Sequence, residues 1–501
     1  MTALLEAIAI AQGLAAVLYT VCQAGLLLYA SHRWPMLLAC SHSAPALPAW
    51  WPAGQEPRVL VQLPVRDEPE VVARLVQAVA ALDWPHDRLH VQLLDDSGAG
   101  AAEVGAHAVA TARARGIAIE HVQRAHAHGF KAGALAHGLE LCDAEFVAVF
   151  DADFVPPSDF LRRMMPHFAA PGVGLAQARW GHLNRDANAL TRAQAVMLDA
   201  HLLIEHPWRQ RTGRFFNFNG TAGIWRRAAI AAAGGWSHDT LTEDLDLSYR
   251  AQLAGWRFVF DPTVVVPAEL PAEMSAFRSQ QYRWAKGALQ TARKLLPHIL
   301  GATLPWRVRA EAVVHLTANA GYPLLLVLAL LLAPVLFAAR TLPLPWLVAL
   351  QLAVVAGGTL PIVLFLAHGQ HLAGRRGFAV VADVGAALLL YAGLSWHLAG
   401  AVVAGLRGPT GEFVRTPKSG MLEQPSRGDR FAPRNQAARR LGPPRAAGAA
   451  ELALAIGFTL LAVVAVAGGR PAGAPFLFAL AGGLTWVGVA TRTCASDAAA
   501  G

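Results

Sequence analysis

The sequence predicts a mostly parallel α/β domain inserted between α-helical membrane segments. Three observations carry that expectation. The chain has 501 residues, 54% of them hydrophobic and only 15% charged, with a mean hydropathy of +0.37, too apolar for an ordinary soluble protein. Its apolar residues are segregated: blocks 7–31, 312–339, 341–367, 384–406, 452–469 and 471–491 contain no Asp, Glu, Lys or Arg. Between the first two blocks lie roughly 250 residues of globular composition, the size of one domain, in which strand-like and helix-like patterns alternate.

Block 7–31 is long enough to cross a ~30 Å hydrocarbon core as a helix. A cleaved signal peptide is disfavoured, because Met1–Ala7 lacks Lys and Arg and contains Glu6. Residues 1–32 are therefore expected to be a transmembrane anchor. The globular domain is assigned to 55–272, amphipathic interfacial helices to 273–311, and transmembrane helices to 312–406 and 449–501. A basic loop, 407–448, lies between the last two groups; its first 41 residues hold nine Arg/Lys against three Asp/Glu. With His32-Arg33 and Arg375-Arg376 it is expected on the cytoplasmic side by the positive-inside rule, as is the globular domain. A full crossing by 384–406 would put the basic loop on the wrong side. Its centre, Gly393-Leu394-Ser395-Trp396-His397, is a candidate break, so a re-entrant or interfacial segment is expected there. Only Arg492–Gly501 follow the last block, so no cyclic-dinucleotide-binding domain is expected.

Net charge +8 and pI 9.7 suit an anionic membrane leaflet and an anionic ligand. Nucleic acid is not expected as a partner, because no basic-aromatic module accompanies the charge. Cys22, Cys40, Cys142 and Cys494 are scattered without metal-ligand spacing, which argues against a zinc site or disulfide framework.

Within the globular part, 58–65 reads as a buried strand and Pro69–Ala81 as a helix. Leu89–Leu94 is a second strand, ending in Asp95-Asp96-Ser97 ahead of a helix at 101–115. Ile117–Val122 is a third strand and 130–141 a helix. Phe146–Phe150 is a fourth strand, ending in Asp151-Ala152-Asp153. Open sheets of this kind bind ligands beyond the carboxyl ends of their strands, where both acidic clusters stand. No Gly-x-Gly-x-x-Gly follows the first strand and no Walker-type loop occurs, which counts against a dinucleotide oxidoreductase or an ATPase. Period-two geometry is expected to point Asp151 and Asp153 to one face. Alone, such a pair is equally a polar strand end, with Asp153 capping a turn. Thr242-Glu243-Asp244 opens a helix at 243–254, with Thr242 a good N-cap and the acids favouring the positive dipole end. Gln280, Arg283 and Trp284 share one face of a helix over 273–296.

The ordered set Asp95-Asp96-Ser97, Asp151-Ala152-Asp153, Thr242-Glu243-Asp244 and Gln280-Gln281-Tyr282-Arg283-Trp284 resembles the family-2-type inverting glycosyltransferases. Within them it is most similar to the cellulose-synthase-like and glucomannan-synthase-like membrane enzymes, over about residues 55–420. The resemblance implies a GT-A-like nucleotide-sugar-binding fold with a mixed, mostly parallel sheet. It implies that Asp67, Glu68, Asp95, Asp96, Lys131 and Arg283 contact a nucleotide sugar, and that Asp151 and Asp153 hold Mg²⁺ or Mn²⁺. Two hard carboxylates beside a diphosphate suit either ion, which takes few protein ligands and several waters. It makes Asp244 the general base, with Glu243 beside it. Gln280, Trp284 and the Phe218-Asn219-Gly220-Thr221 segment, through Asn219 and Gly220, become acceptor contacts. Phe413-Val414-Arg415-Thr416-Pro417-Lys418 resembles a gating loop that closes over nucleotide, which adds Thr416 and Lys418. This version differs from the usual spelling at its middle residue and by its Pro.

The expected activity is transfer of a hexose, UDP-glucose being the first-choice donor, GDP-mannose the other, to a growing β-linked glycan by an enzyme of the bacterial inner membrane. The partners are a nucleotide-sugar donor, a glycan or lipid acceptor and membrane lipids. A non-processive enzyme making a glycolipid would use the same motifs, and a non-enzymatic transporter or scaffold is disfavoured because all four signatures are intact.

Overall fold

The computed structural model describes residues 2–39, 54–338, 353–408, 420 and 448–499. The four expected strands form as β1 (Val59–Val65), β2 (Leu89–Asp95), β3 (Ile119–Gln123) and β4 (Phe146–Val149). Three more follow: β5 (Val173–His182), β6 (Gly223–Arg226) and β7 (Arg257–Ala268). They make one sheet in the order β3-β2-β1-β4-β6-β5-β7. The pairs β1–β2, β1–β4, β2–β3 and β5–β7 are parallel, and β6 runs antiparallel to both neighbours. Because β6 reverses direction twice over, the carboxyl ends of β1, β2, β4 and β5 share one edge of the sheet.

The sequence explains the central strands. Val59, Leu60, Val61 and Leu63 of β1 are fully buried, the continuous apolar run of a parallel strand covered on both faces. Gln62 is the exception, and its amide nitrogen donates to Gln92 Oε1 and to the Leu135 carbonyl, so its donor is not lost to the core. The helix Pro69–Ala80 covers one face by burying Val71, Val72, Leu75, Val76 and Val79, spaced as a 3.6-residue period requires. Pro69 at its first turn costs no hydrogen bond. Each such aliphatic side chain contributes about 1.5–3 kcal/mol on burial. Leu75→Ala would remove that and leave a cavity, a cost of ~2–5 kcal/mol.

Among the described residues, four helices are long and apolar enough to cross a membrane: Ile10–Leu38, Trp306–Ala333, Ala449–Ala467 and Ala474–Cys494. Phe378–Gly393 and Ser395–Arg407 form a fifth candidate, a pair bent by 51° at Leu394. A broken span and a re-entrant loop both have that shape. Much of block 341–367 lies outside the described residues, which resume in the helix Leu360–Leu372.

Several ties join the globular domain to these helices, among them the helix Met274–Gly301 against Ser395–Arg407 and the Arg278–Glu451 ion pair at 2.7 Å. The helix Ala189–Ala200 packs against Leu360–Leu372 and Phe378–Gly393. At another tie, Arg209 donates to Glu311 at 2.9 Å and lies 3.6 Å from Glu205. His32, at the end of the first helix, meets the second Glu311 oxygen at 2.6 Å. Arg209 is 3% exposed, so these charges survive burial only because they face one another.

Candidate active site

One cleft opens at the shared carboxyl edge of the strands. Among the described residues, seven carboxylates line it: Glu68, Asp96, Asp151, Asp153, Glu243, Asp244 and Glu269. Three cations do so: Arg66, Lys131 and Arg283. Among the described lining residues acids therefore outnumber cations, even with Arg124 and Arg74 pairing with Asp96 and Glu269 from behind the wall.

The centre is built around Lys131. Its Nζ donates to Asp151 Oδ1 at 2.5 Å and to the Gly220 carbonyl at 2.8 Å. Burial works to lower its pKa, and the Asp151 and Glu243 carboxylates more than offset this, leaving it raised. The Asp151 amide donates to Thr221 Oγ1 at 2.9 Å, which joins the strand-end turn to the Asn219–Thr221 loop. A side chain at Gly220 would put its first carbon 2.9 Å from Asp244 Oδ2, and the backbone there has φ +83°. Glycine alone lets the loop lie against that carboxylate.

Asp244 and Glu243 open the helix Glu243–Leu253. Burial, then the neighbouring Glu243 charge, pushes the Asp244 carboxyl up to about 7, against the opposing pull of Lys131. Glu243 is raised too, chiefly by burial. Asp244 Oδ1 accepts from the Leu245 amide at 2.8 Å. Thr242 does not cap this helix with its side chain. Its hydroxyl meets Thr291 Oγ1 at 3.2 Å instead, and Gly287 lets the helix Met274–Gly301 approach, since a side chain there would sit 2.9 Å from the Thr242 amide. That contact seats the Gln280, Arg283 and Trp284 face on the cleft. Burial lowers the Arg283 pKa to about 10 against the pull of Glu243, Asp151 and Glu68, and Trp284 stays 36% exposed.

Twelve expected site residues line this cleft: Glu68, Asp96, Lys131, Asp151, Asp153, Asn219, Gly220, Glu243, Asp244, Gln280, Arg283 and Trp284. Two are placed elsewhere. Asp95 is buried, accepts from the Ser97 amide at 3.0 Å and meets His121 at 2.8 Å; as the last residue of β2 it points to the face opposite its neighbour. Asp67 has φ 52°, and its carboxylate accepts from the Gly98 amide at 2.8 Å. Both hold the loops that carry Glu68 and Asp96. Thr416 and Lys418 lie outside the described residues; Gly420 donates its amide to Glu269 Oε2 at 3.1 Å. Asp151 and Asp153 do not share a strand face, because β4 ends at Val149; the turn after it brings both to the cleft, Asp153 only 2% exposed.

Sequence reasoning missed Arg66, Trp180, His182, Leu198 and Glu269 on the wall. Trp180-Gly181-His182 carried a signal, two ring side chains two apart at the end of a strand. Among the described residues no group of three or more His, Cys, Asp or Glu converges on one point. Asp151 and Asp153, which both line the cleft, could hold a cation that takes its other ligands from phosphate oxygens and water.

Residues 146–367 match the family described as glycosyl transferase family group 2. Among curated proteins, the chain is 44% identical over 252 residues to glucomannan 4-beta-mannosyltransferase 2 of Arabidopsis thaliana, covering 49% of this chain and 47% of that one. It is 43% identical over 249 residues to glucomannan 4-beta-mannosyltransferase 1 of Cyamopsis tetragonoloba, covering 49% and 47%. The probable glucomannan 4-beta-mannosyltransferase 7 of Oryza sativa subsp. japonica is 42% identical over 258 residues, covering 50% and 43%. The chain thus spans somewhat under half the length of these relatives. The solved mannosyltransferase PcManGT from Pyrobaculum calidifontis, in complex with GDP-Man and Mn²⁺, has TM-score 0.52 at 20% identity, covering 79% of this chain and 99% of that one; the likeness is one of fold. Residues 146–367 thus resemble glycosyl transferase family group 2, on a sheet of the GT-A-like fold.

Proposed function

We propose that this chain is a multi-pass membrane glycosyltransferase that inverts configuration as it extends a β-linked glycan. Its domain would work on the cytoplasmic side of a bacterial inner membrane. The observation that carries the reading is the Asp244 carboxylate, buried against Gly220 in a cleft whose other residues suit a nucleotide diphosphate and a sugar ring. A carboxyl near 7 is matched to taking a proton at neutral pH. Asp244 would accept it from the acceptor hydroxyl as that oxygen attacks the anomeric carbon. With one base and no enzyme nucleophile, a single displacement inverts the centre. A glycosidase would instead place two carboxyls astride the bond.

Lys131 and Arg283 would bind diphosphate oxygens, Arg283 through its fork. Trp284 would stack the acceptor ring, its apolar face replacing water. Asp151 and Asp153 would hold Mg²⁺ or Mn²⁺, which when bound offsets charge on the departing nucleotide diphosphate. GDP-mannose replaces UDP-glucose as the donor put first, because the curated relatives over this half of the chain are named as β-mannosyltransferases. The test is purified protein in nanodiscs with GDP-mannose or UDP-glucose, with and without EDTA, and sizing of the product. Cation-dependent release of GDP with a β-linked ladder is expected. A single glycolipid would replace polymer synthesis, and no turnover of any nucleotide sugar would end the enzyme reading.

A further inference from the structure

Trp180 and His182 stand two residues apart at the carboxyl end of β5, so both leave the sheet on one face, and both line the cleft. Leu198, Gln280 and Trp284 line the same cleft. In the sheet, β5 lies two strands from β4, about 10 Å across. The space beside His182 is therefore offset from Asp151 across the sheet, with Trp180 between them packed edge-on against Phe154. It lies toward the helix Ala189–Ala200, which carries Leu198 and packs on the membrane-side helices.

His182 is held in one orientation. Its Nε2 lies 2.9 Å from Asp199 Oδ1, with the two side chains 7% and 9% exposed. An ionised carboxylate can only accept, so Nε2 carries a proton. In the neutral ring Nδ1 is then an acceptor, and it makes no hydrogen bond to the described residues. The second Asp199 oxygen accepts from Arg185 at 3.2 Å and from Gln370 at 3.0 Å, and Arg185 lies 3.5 Å from Asp383. Gln370 and Asp383 belong to Leu360–Leu372 and Phe378–Gly393. If the chain of contacts only docked helices, Asp199, Arg185, Gln370 and Asp383 would suffice, and an apolar residue could stand at 182. A tautomer fixed from behind leaves its other nitrogen for whatever fills the cleft.

We infer that Trp180 and His182 form a second wall of the acceptor subsite. A pyranose meets the apolar face of Trp180 and one of its hydroxyls donates to His182 Nδ1, with Asp199 as the positioning residue. The inference rests on the glycosyltransferase reading, so its test carries a binding arm that needs no turnover. Mannotetraose is titrated against wild-type protein in nanodiscs, followed by tryptophan fluorescence and by ligand-observed NMR. In parallel, KM for mannotetraose and KM for GDP-mannose are measured with Mn²⁺ present.

Loss of one neutral hydrogen bond predicts that His182→Phe weakens mannotetraose binding and raises its KM up to about tenfold, with a much smaller change in the KM for GDP-mannose. His182→Asn, which keeps an acceptor oxygen near the Nδ1 position, recovers part of the affinity. Asp199→Asn shifts the mannotetraose KM in the same direction, because its amide no longer dictates the tautomer. Thermal melts identify any variant that fails to fold, and Trp180→Leu supplies an independent probe of the same wall. Wild-type binding and KM for mannotetraose in His182→Phe would overturn the inference while leaving the enzyme reading intact, as would equal changes in both KM values. A wild type that binds mannotetraose yet turns over no nucleotide sugar would sink the enzyme reading alone.

Discussion

The cleft floor and the junction with the membrane-side helices both bury acids beside cations, yet they treat those acids in opposite ways. At the junction, burial opposes the ionised Glu205, but Arg209 and His201 hold its carboxyl well below the usual range. Glu311 is satisfied from two sides by Arg209 and His32. In the cleft, Asp244 and Glu243 sit side by side, and Lys131 is committed to Asp151 at 2.5 Å. There burial wins and the Asp244 carboxyl rises to about 7. The difference is one of compensation. Junction charges are matched for stability, whereas cleft charges are left in surplus, the state in which perturbed groups do chemistry.

The largest expected effect breaks the junction. Arg209→Leu removes a partner of the buried Glu311 and the half-buried Glu205 and should cost about 3–5 kcal/mol, read as a fall in unfolding midpoint in denaturant. A change below ~1 kcal/mol would show that the cluster is not balanced by that guanidinium. Next, Asp244→Asn should lower turnover at least ~10²-fold with little change in nucleotide affinity by calorimetry. Equal losses in both would make Asp244 structural. Asp153→Asn should remove most turnover, and EDTA should do so reversibly.

The two regions should also respond oppositely to pH. Asp244 has a folded pKa above its unfolded one, so its contribution to stability is fully present below 3.8 and lost as pH rises to about 7. Asp244→Asn should therefore melt higher than wild type at pH 7.5 and not at pH 4, a stability gain bought with activity. Glu205 has a depressed folded pKa, so its contribution is present above 4.5 and lost as pH falls through the lowered value. Glu205→Gln should destabilise at pH 7 and less so in strong acid. If both variants shift in the same direction at pH 7.5, the contrast fails. The smallest effect sharpens the acceptor end: Trp284→Phe should keep part of the transfer activity, since a smaller ring still stacks, while Trp284→Ala should impair glycan transfer more than donor hydrolysis by water.

Much of this was legible in the chain because it is local. Charge-free blocks announce helices that tolerate lipid, and the apolar runs at 58–65 and 146–150 announce strands buried on both faces. Acidic clusters at strand ends announce a ligand edge. The helical spacing of Gln280, Arg283 and Trp284 required them to share a face, and they do. Local pattern misled where a neighbour claimed the group. Asp95 and Asp96 look like a pair, but alternation sends them to opposite faces, and only the placement of His121 and Arg124 decides which reaches the cleft. Thr242 looks like a cap, but the close approach allowed by Gly287 takes its hydroxyl to Thr291.

By itself, then, the sequence determined the layer architecture, which follows from periodicity over a few residues, and the ordered motifs that carry the family resemblance and supply the cleft. Tertiary structure decided how the charges add up. Whether a buried acid is held down like Glu205 or pushed up like Asp244 depends on which cations lie within a few ångströms, and those come from segments far away in the chain. It also decided that Trp180 and His182 join the wall, because Asp199, Gln370 and Asp383 meet behind them only when the sheet docks on the membrane-side helices. Electrostatic energy falls with distance in space and takes no account of separation along the chain.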